Sequence, residues 1–121
     1  MLDSYISNAR DSGFNVQETY QKTWLLSEIG SSGVLLDGDS NMQIQVISII
    51  ISSDTNTVVT LASGTDIIQE FALGKNVPFA LNQTLMHGTL FAGSVGEDLN
   101  IDLSAAVTKG SIYLQYRYRD A

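Results

Sequence analysis

Residues 42–53 read MQIQVISIIISS, and their pattern decides the class of the fold. Side chains of a β-strand point alternately to its two faces, so an apolar residue at every second position buries one face. In the first half of the stretch the apolar residues take even-numbered positions, and in the second half Ile47, Ile49 and Ile51 take odd-numbered ones. Either a β-bulge switches the faces within one strand, or the strand lies centrally with both faces covered.

The same two-residue period dominates the chain from about residue 32 onward. Its clearest example is the segment 99–103, in which Leu99, Ile101 and Leu103 alternate with polar residues. Turn-forming residues separate such segments at intervals of about ten residues, a spacing typical of sandwiches and barrels. We therefore predict an all-β fold, an antiparallel β-sandwich. A jelly roll and an immunoglobulin-like Greek key would both produce this pattern.

Three breaks in the pattern predict where strands turn or end. Residues 54–56, Asp-Thr-Asn, lie between the strand at 42–53 and the β-branched residues 57–61, which predicts a hairpin. Ser63 and Gly64 form the next turn. Pro78 restricts the alternating piece around it to an edge strand or a loop-like strand, because proline cannot donate to a sheet ladder.

The first residues carry a helical pattern. Leu2, Tyr5, Ile6 and Ala9 lie on one stripe of a helix that would end near Gly13. An isolated helix of this length is marginal in water, so we expect it to dock on another surface.

Residues 15–29 have two interpretations. A capping box that begins at Asn15 predicts a helix over 16–29. The rival is a strand over Thr19–Leu26 with Tyr20, Trp24 and Leu26 pointing inward, and the alternation in the rest of the chain favours it. We predict an N-terminal arm over 1–30, with or without a short helix, followed by a β-sandwich domain over 31–121.

Composition excludes several classes of partner. The chain of 121 residues has 13 acidic and 6 basic residues and a formal net charge of −7, which repels nucleic acid and anionic membranes. It contains no cysteine, so disulfides and thiolate metal sites are excluded. The N-terminus lacks the basic and apolar regions of a signal peptide, and no apolar run is long enough to span a bilayer.

No pattern in the sequence supports catalysis. His87 is the only histidine, and a Ser-His-Asp relay would need it beside a buried carboxylate and an activated serine. The segment around Ser94 lacks the strand-to-helix elbow in which such a serine sits. We therefore expect a protein that is not an enzyme and that has no catalytic residues and no cofactor.

The segment 37–41 has the spacing that opens a calcium-binding loop. Asp37, Asp39 and Asn41 are its candidate metal ligands, because alternate oxygens of such a loop wrap a hard cation. The pattern then fails, since Met42 stands where glycine is needed and Ser48 where a bidentate glutamate belongs. We interpret the segment as a polar turn and predict no metal.

The last strand offers a candidate interface. Tyr113, Arg117 and Arg119 share one face of the segment 111–119, and tyrosine and arginine are enriched at interface hot spots. Together with the N-terminal residues Leu2, Tyr5 and Ile6, they form the predicted partner interface. The alternative is an ordinary solvated outer face.

The C-terminal part of the chain is similar to that of small virion proteins of tailed phages. The residues that carry the likeness are GEDLNIDLSAAV at 96–107 and GSIYLQY at 110–116. Upstream it includes SGVLL at 32–36, IQVISIII at 44–51 and, after a hairpin, TVVTLASGT at 57–65. These segments are small polar turns and β-branched strands, with no catalytic motif.

The resemblance covers roughly residues 32–118 and implies a fold and a role. Proteins of this family are jelly-roll-like sandwiches that decorate or cement capsids or belong to tails and fibres, and trimers are common among them. The resemblance implies a capsid decoration or cement protein that binds other virion proteins, chiefly the major capsid protein, and forms a homo-oligomer, with a trimer favoured. The alternative is a carbohydrate- or receptor-binding module of a phage tail or fibre.

Overall fold

The computed structural model describes residues 19–82 and 88–120, which form two antiparallel sheets. Within these residues the elements are β1 (Tyr20–Leu25), α1 (Leu26–Ile29), β2 (Ser32–Leu36), β3 (Met42–Ser53), β4 (Thr57–Ser63), β5 (Asp66–Leu73), β6 (Phe79–Asn82), β7 (Phe91–Ala92), β8 (Leu99–Leu103) and β9 (Gly110–Asp120). No helix among them is long and apolar enough to cross a membrane.

The strand order is that of a jelly roll. Sheet A has the order β1-β9-β3-β6, with the short β7 also paired to β3, and sheet B has the order β2-β8-β4-β5. The chain therefore crosses between the sheets at most of its connections, so that each sheet combines strands from both halves of the sequence. This arrangement confirms the predicted antiparallel β-sandwich and distinguishes a jelly roll from an immunoglobulin-like Greek key.

The core lies between the two sheets and is almost entirely aliphatic. It is formed by the inward-facing side chains of both sheets together with residues of α1 and the last loop: Leu26, Leu35, Leu36, Ile44, Val46, Ile49, Ile51, Val59, Leu61, Leu73, Leu99, Ile101, Leu103, Val107, Ile112 and Leu114. The period-two alternation of the sequence is thus the pattern of a sandwich that buries one face of each sheet.

A β-bulge in β3 explains why its apolar residues change from even to odd positions. Val46 lies opposite Tyr116 and Ser48 opposite Gln115, so Ile47 is the extra residue on the β3 side. The apolar residues at even positions before the bulge and at odd positions after it are therefore buried together. The bulge, one of the two predicted explanations, is confirmed.

Residues 20–25 form a strand, as the favoured interpretation of 15–29 predicts. β1 pairs antiparallel with β9, from Tyr20 opposite Tyr116 to Leu25 opposite Ser111. Leu26 is fully buried as predicted and Trp24 is half-buried, but Tyr20 is exposed because β1 is an edge strand.

The sandwich therefore extends N-terminal of the predicted boundary at residue 31. Its first strand begins at Tyr20, and the pairing of this strand with β9 places it inside sheet A. The predicted arm residues Leu2, Tyr5 and Ile6 lie outside the described residues, as does His87.

The predicted hairpin at 54–56 is wrong. β3 belongs to sheet A and β4 to sheet B, so these residues connect the two sheets. The polar groups of the turn bind the loop before β9: the Asp54 N–H donates to the carbonyl of Lys109 at 2.9 Å, and the Lys109 N–H donates to the Asp54 carboxylate at 3.1 Å. Residue types that favour a turn do not determine whether the next strand pairs with the previous one.

The other two breaks occur where they are predicted. β4 and β5 form a hairpin around Gly64, whose φ of 59° lies in the left-handed region that glycine tolerates. Pro78 directly precedes β6, which is an edge strand of sheet A.

Candidate binding surface

The outer face of sheet B presents a row of side chains that runs across all four of its strands. Val34 lies opposite Asn100, Asn100 opposite Ala62, and Ala62 opposite Ile67. We call these four residues the sheet B row. Its two ends are strongly exposed, with Val34 at 52% and Ile67 at 64% of their full accessibility. Two large aliphatic side chains thus flank a polar centre on the surface.

A second row beside the first is polar. Ser32, Asp102, Thr60 and Glu70 lie in register across the same four strands. The Thr60 hydroxyl donates to the Glu70 carboxylate at 3.0 Å. The two rows contribute most of the lining of a shallow depression of ≈ 540 Å³.

Asn100 places an unsatisfied acceptor in the middle of the sheet B row. It points outward because its neighbours Leu99 and Ile101 point into the core. Its Nδ2 donates to the Gly64 carbonyl at 2.9 Å, which fixes the orientation of the amide. Its Oδ1 is buried and has no hydrogen-bond partner among the residues that the structure describes. Such a buried acceptor costs about 1–3 kcal/mol.

The sequence contains no direct signal for this surface. The alternation over 99–103 predicts that Asn100 faces away from the core, and nothing more. The proximity of Val34 and Ile67 to it depends on the register of four strands, and β8 is distant in the chain from the other three, so a single sequence does not specify it.

Arg117, a predicted interface residue, is buried on the outer face of sheet A. It is only 4% exposed. Its Nε donates to Gln45 Oε1 at 2.7 Å, and its Nη2 donates to the Thr89 hydroxyl at 2.9 Å and to the Gly88 carbonyl at 3.2 Å. Burial, with a smaller contribution from the charge of Arg119, lowers the pKa of Arg117. The guanidinium thus ties β9 to β3 and to the residues before β7.

Tyr113 and Arg119 lie nearer the surface of the same face. The Tyr113 hydroxyl donates to Gln21 Oε1 at 2.7 Å, and its ring lies opposite the exposed Ile50 of β3. Arg119 is exposed near the end of β9. Of the predicted interface residues that the structure describes, these two remain available to a partner.

The candidate calcium ligands lie in the loop between β2 and β3, where they take part in hydrogen bonds within the chain. Asp39 Oδ1 accepts the N–H of Asn41 at 3.1 Å, and the carbonyl of Asp37 accepts the hydroxyl of Tyr118 at 2.7 Å. Over residues 19–82 and 88–120, no group of three or more His, Cys, Asp or Glu side chains is placed to hold a metal ion.

The loop between β7 and β8 packs closely against this segment. Asp98 Oδ1 accepts the N–H of Gly38 at 2.6 Å, and a Cβ at Gly38 would collide with the backbone of Gly96. Carboxylates gathered at this end also affect Tyr118, whose pKa is raised mainly by burial and further by Tyr116, Asp37 and other carboxylates.

Comparison with known proteins finds matches among solved structures. No protein-family model matches the chain, and no curated protein matches it. Among the solved structures that match is a virus-like particle of the extra small virus of the giant freshwater prawn Macrobrachium rosenbergii. The sequence identity is 10% and the TM-score is 0.35, and the match covers 89% of this chain and 83% of that chain.

Proposed function

We propose that this protein is a non-enzymatic structural subunit of a virion and that it binds neighbouring virion proteins through the outer face of sheet B. The observation that carries the proposal is the sheet B row, in which the exposed Val34 and Ile67 flank Asn100 beside a second row of polar side chains. Exposed large apolar side chains bordered by polar residues are features of a protein–protein interface. The jelly-roll order is compatible with this role, because viral capsid domains use it, as do lectins and cupins.

Within the virion, we assign the protein to the capsid as a decoration or cement protein. The similarity of residues 96–107 and 110–116 to small virion proteins of tailed phages supports this assignment. Its partners would then be the major capsid protein and the other copies of a homo-oligomer, with a trimer favoured, and we expect the copies to contact one another through the sheet B row. Because Glu70 and Asp102 border the sheet B row, we expect the partner to contribute hydrogen-bond donors and cationic groups there.

The aromatic side chains argue against the alternative, a carbohydrate-binding module. Sugar rings stack on open aromatic faces, but Lys22 Nζ lies 5.1 Å from the centroid of the Trp24 ring. The Tyr116 ring packs against Tyr20 and Tyr118, at centroid distances of 5.8 and 6.1 Å. The rings of Tyr116 and Tyr118 are therefore engaged within the chain, and Lys22 lies over one face of Trp24.

Immunogold electron microscopy tests the location. An antibody against this chain is applied to phage particles purified from a lysate of the source organism. We expect regular labelling of the shells. Label restricted to tails or fibres would overturn the capsid assignment, and particles without label would overturn the virion role.

Light scattering over a range of protein concentrations tests the surface. We expect the wild type to form a homo-oligomer and Ile67→Asp to weaken it, because a carboxylate then replaces an exposed apolar group of the sheet B row. The matched control is Val77→Asp, which introduces the same charge at an equally exposed valine outside the row. Equal masses for the three proteins would show that the sheet B row is not part of the interface. A monomeric wild type that binds in a glycan array would favour the alternative.

A further inference from the structure

The two side edges of the sandwich are closed in different ways. At one edge, Phe71 of β5 and Phe79 of β6 stack with ring centroids 4.5 Å apart and an interplanar angle of 12°, which joins sheet B to sheet A. At the other edge, β1 and β2 are joined only by α1 and leave a groove of ≈ 620 Å³ between them.

We call this the edge groove. Four of its lining side chains are apolar and three are polar: Trp24, Leu25, Ile29 and Val34 (which also belongs to the sheet B row), with Lys22, Thr23 and Glu28. Leu25 is 53% exposed, although it is a large aliphatic residue, and Trp24 is the only tryptophan of the chain. An apolar segment that covers these apolar side chains removes them from water, which lowers the free energy of the molecule.

The residues that precede β1 have the composition needed to cover it. Residues 1–18 lead directly into Thr19 and β1. Within them, Leu2, Tyr5, Ile6 and Ala9 have the spacing of one apolar stripe. Such a stripe needs a surface to dock on, and the edge groove borders the strand to which the segment is attached.

We propose that residues 2–9 of this chain occupy the edge groove of the same molecule, with Leu2, Tyr5 and Ile6 against Trp24 and Leu25. This inference does not depend on the virion role.

The length of the connection permits this docking. From Tyr20 to Leu25, β1 is about 17 Å long at roughly 3.3 Å per residue. Residues 10–18 can span up to about 30 Å when extended, which is enough to turn back along β1. A tether this short gives an effective concentration of about 1 mM, which favours the molecule's own segment over that of a second copy in dilute solution.

Tryptophan fluorescence tests the docking in the full chain, because Trp24 is its only tryptophan. The test variant is Tyr5→Asp/Ile6→Asp, and the matched control is Ser4→Asp/Ser7→Asp, which adds the same charges on the opposite side of the stripe. In the test variant we expect stronger acrylamide quenching and a shift of Trp24 emission to longer wavelength. The control should resemble the wild type. Equal quenching in all three proteins would refute the docking.

Cysteine crosslinking provides a second test, because the chain contains no cysteine of its own. Tyr5→Cys/Leu25→Cys should form a disulfide within one molecule faster than the control Ser4→Cys/Leu25→Cys. Peptide mass spectrometry and a non-reducing gel identify the bond. A disulfide-linked dimer as the main product would show that a second copy supplies the segment, and equal rates would refute the placement of the stripe. Neither outcome bears on labelling of virions, so the two proposals can fail separately.

Discussion

The outer faces of the two sheets differ in which side chains are exposed, and the difference does not follow the polarity of those side chains. On sheet A the polar residues Gln45, Ser48 and Arg117 are buried, whereas on sheet B the aliphatic residues Val34 and Ile67 are exposed. Two of these polar groups of sheet A are bonded to the residues just before β7, since Gln45 accepts a hydrogen bond from Thr89 and Arg117 donates to Thr89 and to Gly88. Sheet B has an open depression instead. In this molecule, the accessibility of a side chain on an outer face depends on whether another part of the chain lies over its strand. A polar side chain that is covered in this way needs a hydrogen-bond partner.

The largest expected effect comes from changing which residues of β3 point to the outer face of sheet A. Deleting Ile50 would turn Ile51 outward and Ser52 inward, and we expect a loss of more than about 4 kcal/mol in the free energy of unfolding. Deleting Ile47 removes only the bulge and leaves a regular alternation across Val46 and Ser48, so we expect a loss below about 2 kcal/mol. Urea unfolding of both deletions makes the comparison. Similar losses would contradict the assigned register.

Replacing Arg117 tests the covered face directly. Arg117→Met should reduce the free energy of unfolding by about 2–4 kcal/mol, because Gln45 and the groups at 88–89 lose a buried donor. The control is Arg119→Met on the same strand, which is exposed and should change stability by less than about 0.5 kcal/mol. Urea unfolding measures both. If Arg119→Met were the more damaging change, the covered face would be misassigned.

Asn100 tests the open face and should behave differently. Asn100→Ala removes the hydrogen bond to Gly64 but also removes the unsatisfied Oδ1. Because these effects oppose each other, we expect a net change within about 1 kcal/mol by urea unfolding. The same variant should weaken oligomerisation in the light-scattering assay. A loss of stability as large as that of Arg117→Met would show that Asn100 is a structural residue.

The smallest expected effect concerns the loop end of the molecule and is a dependence on pH. The pKa of Tyr118 is raised in the folded state above its ordinary value of 10.0, mainly by burial. Above about pH 10 the unfolded chain therefore binds fewer protons at this residue, and the free energy of unfolding falls as pH rises through the folded pKa. Tyr118→Phe should lessen this fall relative to the wild type. Urea unfolding between pH 8 and pH 11 measures it, and parallel curves would argue against the raised pKa.

Local patterns in the sequence predict several of the strands. Alternation identifies 99–103 and the two halves of 42–53, because burial of one face requires it whatever the neighbouring strand is. The switch of face in 42–53 leaves two explanations, a β-bulge or a central strand with both faces covered, and the structure shows the bulge. The turn at Ser63 and Gly64 is predicted for a similar reason, since a tight turn is a local structure.

Pairing between distant strands could not be predicted in this way. The wrong hairpin at 54–56 shows the limit, because the same turn residues serve a connection within a sheet or between sheets. Arg117 was assigned to an interface from its face on β9, but its burial depends on residues 88–89. The sheet B row depends on the register of four strands, so neither Asn100 nor Ile67 stands out in the sequence.

The pairing of β1 with β9 has a consequence for synthesis of the protein. The first and last strands of sheet A are neighbours, so this sheet cannot be completed until β9 has left the ribosome. Until then the isoleucine-rich β3 lacks its longest partner strand and is free to pair with other nascent chains. Folding must wait for contacts between the two ends of the domain, which makes it slow for a chain of this size. We therefore expect the yield of soluble protein to depend more on the rate of translation and on chaperones than on the stability of the finished sandwich.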